Sequence, residues 1–434
     1  MGRIGCRDAC PSIARETKAG TMRPISLGIM IGFVACLTGC VTSIPVSFKE
    51  ERWCGERTAI APELRISACT ALIDSGHRSN ESMALELANR GAAYQMNGEN
   101  DRAITDLDRA IALKPDFPQP YHDRAMAYRA KGQYDKAIAD DSDAIRLNLD
   151  FAEAYANRGD LYLFNRQYGT AIADLDHADR LKFKGGSLHL DRAAALAATG
   201  QYAREIDDLN EEIRSKPSDA NLFERRALAY RSLALYDKAI ADFGEAIRLR
   251  PNDAEAFGYR GLTYFAQRQF DQAIADFDQG IRLIPNDAFA FTNRGAAFAQ
   301  KGQNVRAIAD YDQAIQLKPD LWSAYSNRCW AKVALDQFAA AIEDCDTTIR
   351  LAPNRSEGWA GRAWAEYFSA NLTSARADFG TALQIEPKNA ASLYGRGRLK
   401  IRFGEQEAGT SDIASARRLQ PDIEHSLASI GIKP

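Results

Sequence analysis

The chain has 434 residues, a formal charge of −3 and a sequence pI near 6.1. So even a balance of charge argues against nucleic acid or acidic lipid as a bulk partner. Its length would ordinarily make two or three globular domains, but a regular internal period predicts one elongated array instead.

The first 49 residues stand apart from the rest of the chain. Ile25–Leu37 is an apolar run of 13 residues, too short to span a bilayer comfortably. It follows Met22-Arg23-Pro24 and ends in Leu37-Thr38-Gly39-Cys40. A short basic start, an apolar core and small residues before a cut form a secretory signal, and Met22 is better placed than Met1 as its start. The last four residues resemble the bacterial lipobox. That resemblance implies cleavage before Cys40, a lipid such as palmitate on the Cys40 thiol, and Val41–Lys49 as a tether. An ordinary cleaved signal or a short anchor is the alternative. Val41 follows the cysteine; in enteric bacteria an aspartate there retains lipoproteins at the inner membrane. The expected location is therefore the cell envelope, periplasm-facing, with a lean towards the outer membrane.

Eight cysteines are present. Cys6 and Cys10 precede the expected start, Cys36 lies in the signal and Cys40 is the lipid site. An even number remains, in a compartment where disulfides persist. Cys54 and Cys69 flank a helix-like stretch, Pro62–Ser75, and a bridge between them would staple an N-terminal cap spanning residues 50–83. Cys329 and Cys345 fall on core positions of one repeat, where a bridge and two buried thiols are equally open readings.

From Ala84 to Ile423 the chain repeats every 34 residues, ten times. Ala254–Asp287 shows the pattern. Phe257, Gly261 and Tyr264 make one helical stripe, and Ala273, Ile274, Phe277, Gly280 and Ile281 make a second. Arg268-Gln269 break the pattern between them, where other repeats carry Lys131-Gly132 or Lys301-Gly302. Pro285 ends the second helix, since proline lacks an N–H and disfavours helical geometry in the residue before it. Proline recurs on the same grid from Pro115 to Pro421, with Leu149 and Phe183 in its place at two points. One such helix pair cannot bury enough surface alone, and stacking supplies the missing cover. Glu424–Pro434 supplies a C-terminal cap, with one or two helical turns over His425–Ile430.

The pattern resembles the tetratricopeptide repeat. That family places aromatics at the fourth and eleventh positions, small residues at the eighth, twentieth and twenty-seventh, and proline near the end. Phe257, Tyr264, Gly261, Ala273, Gly280 and Pro285 match. The resemblance implies an all-α, right-handed superhelical solenoid of about ten helix-turn-helix repeats, and it leaves the partner open. One departure recurs. The seventh position, usually leucine in this family, is arginine in all ten repeats, from Arg90 to Arg396. The twenty-third is always aspartate, from Asp106 to Asp412. In an antiparallel helix pair these two reach the same height, which predicts a bidentate ion pair that fixes register.

The resemblance also places the second, fifth, sixth, ninth, twelfth and thirteenth positions on a concave groove. Asn89, Asn157, Asn293 and Asn327 occupy the sixth. An amide there can hold the backbone of an extended peptide, because it donates and accepts at once; a solvent-facing polar residue is the plainer reading of each one. Leu163, Phe164, Phe265, Trp330, Trp364, Tyr367 and Phe368 make the same face apolar. Exposed aromatics would mark an interaction site, whereas a tight curl would bury them. A carboxylate clamp would need lysines at the fifth position, which instead holds Ala88, His122, Ala156, Leu190 and Glu224.

No phosphate-cradling glycine loop, HExxH or GxSxG motif is present. The five histidines do not cluster at metal-ligand spacing. The sequence thus predicts no enzyme, no cofactor and no metal, but a lipid-anchored scaffold that binds envelope proteins or extended peptides. The alternative is an accessory of exported polysaccharide assembly that binds a glycan or a glycan-synthesis partner. Aromatics with flanking carboxylates would favour the glycan, and the asparagines would favour the peptide.

Overall fold

The structure is a computed structural model that describes residues 46–56, 60–75, 79–429 and 432. Cys40 and the signal lie outside these residues. Among the described residues there are 23 helices and no strand. The chain divides into two compact bodies at Gln133/Tyr134.

In the first body, helices Val46–Gly55 and Pro62–Asp74 precede the repeats. Cys54 and Cys69 are disulfide-bonded between them, and with Ala68 and Leu72 they form a small buried cluster. The next helix, Asn80–Met96, starts four residues before the grid point at Ala84. Ser79 explains the extension: its hydroxyl accepts the Ser82 N–H at 3.2 Å, which caps an otherwise unpaired donor. Asn100–Leu113 and Pro118–Ala130 complete this body.

The second body runs from Tyr134–Leu147 to Ile423–Ser429 as antiparallel helix pairs. In the repeat Ala254–Asp287 the helices are Ala254–Ala266 and Phe270–Leu283. Asp253 caps the first by accepting the Ala256 N–H at 3.1 Å. Arg268 adopts φ 62° after its end, and Gln269 N–H reaches back to the Tyr264 carbonyl at 2.9 Å, the left-handed termination common to helix ends. Inside the pair, a Cβ on Gly261 would lie 2.8 Å from the Phe277 ring, so only glycine allows this approach. The missing proline at Phe183 has a local consequence. There the helix Tyr168–Arg180 ends through Lys182 at φ 62°, and the next helix begins only at Leu188.

The recurring arginine and aspartate meet as the sequence predicts. Arg260 donates through Nε and Nη2 to both carboxylate oxygens of Asp276, at 2.8 and 2.7 Å. Arg90, Arg158, Arg192, Arg226, Arg294, Arg328, Arg362 and Arg396 do the same with the aspartate sixteen residues on. Arg124 and Asp140 fall on opposite sides of the division between bodies. Two further contacts were not legible in the spacing. Nη1 of Arg294 reaches Asp278 of the preceding repeat at 2.6 Å, and Arg328 and Arg362 reach Asp312 and Asp346 likewise. The arginine therefore ties successive repeats as well as its own two helices. Its guanidinium also lies between two rings, 5.4 Å from Phe291 and 5.9 Å from Phe298 for Arg294. Ring faces attract a cation, which accounts for arginine where this family usually has leucine.

Candidate functional site

The four asparagines of the sixth position divide into two kinds. Asn89 is buried beneath the N-terminal helices, where it lines a cavity with Glu51, Cys54 and Leu72. Asn157 is also buried, and its amide donates to the Asp141 carboxylate at 2.6 Å. These two are structural contacts, which corrects their placement on an open groove. The reason lies in tertiary packing: a cap helix covers one, and a carboxylate unique to Asp141's position engages the other. Asn293 and Asn327 are only partly buried, and no side-chain hydrogen bond engages either among the described residues.

The aromatics divide in the same way. Trp364 is fully buried, the second of the two outcomes left open by the sequence, which corrects its placement on the groove. Its ring meets Phe379 edge-on at 5.4 Å, and Tyr367 and Phe368 at 5.6 and 5.8 Å. The cause is one repeat away. Cys329 and Cys345 are disulfide-bonded across the two helices of their repeat. They occupy the small-and-large pair that Gly261 and Phe277 fill elsewhere, with much less bulk than a ring. Trp364 joins the same buried cluster as the disulfide. Tyr367 and Phe368 are partly buried, each with a face against this cluster, and Arg398 lies 5.5 Å over Tyr367. Phe164 remains exposed, against Tyr134 at 4.6 Å.

Trp330 and Asn327 stay together at an opening. They lie about one turn apart on the helix Trp322–Ala334 and line a cavity of about 230 Å³. Ala296 and Ala299 of the helix Ala288–Gln300 form the opposite wall. Asn304 and Tyr311 of the helix Asn304–Leu317 line it too. The sequence reading missed these last two, because it looked for binding residues on first helices alone. A signal was present. Tyr311 stands where Phe243, Phe277 and Phe379 stand in other repeats, so it adds one hydroxyl to an otherwise apolar position. Burial, then the Asp310 carboxylate, pushes the Tyr311 phenol well above its ordinary range, so it stays protonated. No charged side chain lines the cavity. Among the described residues, no group of three or more His, Cys, Asp or Glu is placed to hold a metal ion.

Successive antiparallel helix pairs define a helical-repeat protein. Four segments match tetratricopeptide repeat models: residues 254–287, 227–268, 107–139 and 152–184. The chain thus carries tetratricopeptide repeats, and the fold is all-α; proteins of such repeats are in general protein-interaction scaffolds. No curated protein matches the chain. Solved structures similar to it include yeast Tom70, at 15% identity over 81% of this chain and 95% of that one, TM-score 0.38. The Cut9–Hcn1 hetero-tetramer of the APC/C aligns at 10% identity over 88% and 94%, TM-score 0.47. PilF of Pseudomonas aeruginosa aligns at 19% identity over 46% and 92%, TM-score 0.41. At these scores the likenesses carry no further argument.

Proposed function

We propose that the protein is a lipid-anchored, periplasm-facing scaffold that holds an extended peptide segment of an envelope protein across its seventh and eighth repeats. The observation that carries this reading is the pairing of Asn327 with Trp330 at the mouth of one cavity, with Asn293 one repeat upstream. An indole offers an apolar anchor, and a free amide meets the N–H and C=O groups that an extended strand leaves unpaired. The lipobox resemblance at Leu37–Cys40 supports the anchor, and two disulfides support an oxidising compartment. The glycan alternative is less well supported, since no carboxylate lines the cavity beside Trp330.

Two measurements test it. Peptides selected from a random display library on the parent protein, then measured by calorimetry, should bind Trp330→Ala about thirtyfold more weakly, the effect of one aromatic anchor. Unchanged binding would move the site elsewhere. Metabolic palmitate labelling should tag the parent protein and not Cys40→Ala; equal labelling of both would remove the anchor.

A further inference from the structure

Buried polar side chains in the second body commonly meet a protein partner, as Asn157 does Asp141 and Asp276 does Arg260. The cavity between the seventh and eighth repeats gathers several that do not. Tyr311 is 1% exposed and Asn304 8% exposed, yet neither side chain has a hydrogen-bond partner among the described residues. Asn327, on the facing helix, has none either. Gln300 lines the same opening, also without a side-chain partner. A nearly buried hydroxyl and three amides thus face one cavity with hydrogen-bonding capacity that no protein group uses, and a ligand can take it up.

We infer that this cavity is a selectivity pocket for an uncharged carboxamide side chain, glutamine or asparagine, carried by the extended peptide. The inference rests on the peptide-binding reading above and adds the chemistry of one side chain. The cavity holds no cation or anion to compensate a charged group, so an entering Lys, Arg, Asp or Glu would lose its hydration without a partner. A leucine or methionine of similar size would fill the space, displace water from the four polar side chains and offer them no hydrogen bond. A serine hydroxyl is short for a space of about 230 Å³ and makes fewer bonds. A carboxamide is planar, donates through its NH₂ and accepts through its oxygen. Those functions match a phenol that stays protonated and the three amides of Gln300, Asn304 and Asn327, which can each donate or accept. The small walls, Ala296 and Ala299, leave room for a planar group beside the Trp330 indole.

Tyr311→Phe is the discriminating variant. It deletes one hydroxyl and installs the residue that Phe243, Phe277 and Phe379 already provide in the same core position, so the fold is preserved. The probe is a synthetic library of extended, N-acetylated and C-amidated octapeptides. Peptides retained by the parent protein should share Gln or Asn at one position. Replacing that residue by Leu should weaken binding about tenfold, as expected for hydrogen bonds lost at a partly open site. With Tyr311→Phe the preference should fall to about threefold or less while Leu-bearing peptides bind as before. Retention of peptides with no carboxamide at any fixed position, still dependent on Trp330, would overturn this inference and leave the peptide reading standing. Failure to retain any peptide, with capture instead of oligosaccharides bearing acetamido groups, would overturn both.

Discussion

At the residue scale the arginine–aspartate pair does the most repeated work. Arg260 and Asp276 are 22% and 6% exposed at their side chains, so water screens them only in part. Arg260→Ala should destabilise the stack by about 1–3 kcal/mol, because it strands a buried carboxylate. Arg294→Ala should cost more, since it also releases Asp278, whereas Arg260 meets Gly244 at the corresponding place. Chemical unfolding of Arg260→Ala, Asp276→Ala and the double variant checks the pair; strictly additive losses would mean no coupling. A second residue-scale effect sits in the ninth repeat. Lys332 and Lys400 pair with Asp344 and Asp412, but the matching residue of the ninth repeat is Glu366. Burial first, then the Asp378 carboxylate, pushes Glu366 from 4.5 up to about 7, against the opposing pull of Arg362. The folded state thus holds this proton more tightly than the unfolded chain. The stability it contributes is complete below about pH 4.5 and is lost as pH rises through about 7. Glu366→Gln should raise the thermal midpoint at pH 8 and leave it near the parent value at pH 4, which melting at the two pH values measures.

At the scale of the element, each helix pair turns through a left-handed residue. Glycine fills that place in five repeats, Gly132 and Gly302 among them, and Ala370 holds it at φ 64°. A Cβ there costs about 1–2 kcal/mol, partly offset by the greater freedom of glycine in the unfolded chain. Ala370→Gly should therefore stabilise by about 0.5–1 kcal/mol, and Gly302→Ala should destabilise, both read from urea midpoints. Packing between elements decides the fate of Trp364. As a groove residue its truncation would cost a partner and not the fold. Its burial against Phe379 and in the cluster of Cys329 and Cys345 makes it a core residue instead. Trp364→Ala should cost about 3–5 kcal/mol of stability, the range for removing a large buried ring. An unfolding midpoint equal to the parent's would show that the indole is not core.

For the whole molecule, the two disulfides and the expected signal bear on one question, the compartment. Each bridge links cysteines sixteen residues apart or fewer, Cys54 to Cys69 and Cys329 to Cys345. Protein recovered from the envelope and alkylated without reduction should show no free thiol at these four positions by mass spectrometry. Free thiols at all four would remove the support that the disulfides lend to an exported location.

The sequence by itself determined the helix pairs, their period and the arginine–aspartate register. Those follow from local rules: proline stops at one phase, glycine permits one close approach, and a sixteen-residue spacing sets two charges level. Why arginine replaces leucine was only half legible, because the partners at Asp278 and its equivalents belong to the preceding repeat. The candidate site was less legible still. Asn89, Asn157, Asn293 and Asn327 share one position in the repeat, yet packing buries two and leaves two partly open. Trp330 and Trp364 also share a position, and a disulfide's smaller volume lets the second sink into the core. Repeat position fixes the direction of a side chain. What covers it depends on the bulk of residues one repeat away, and only the folded stack brings those together.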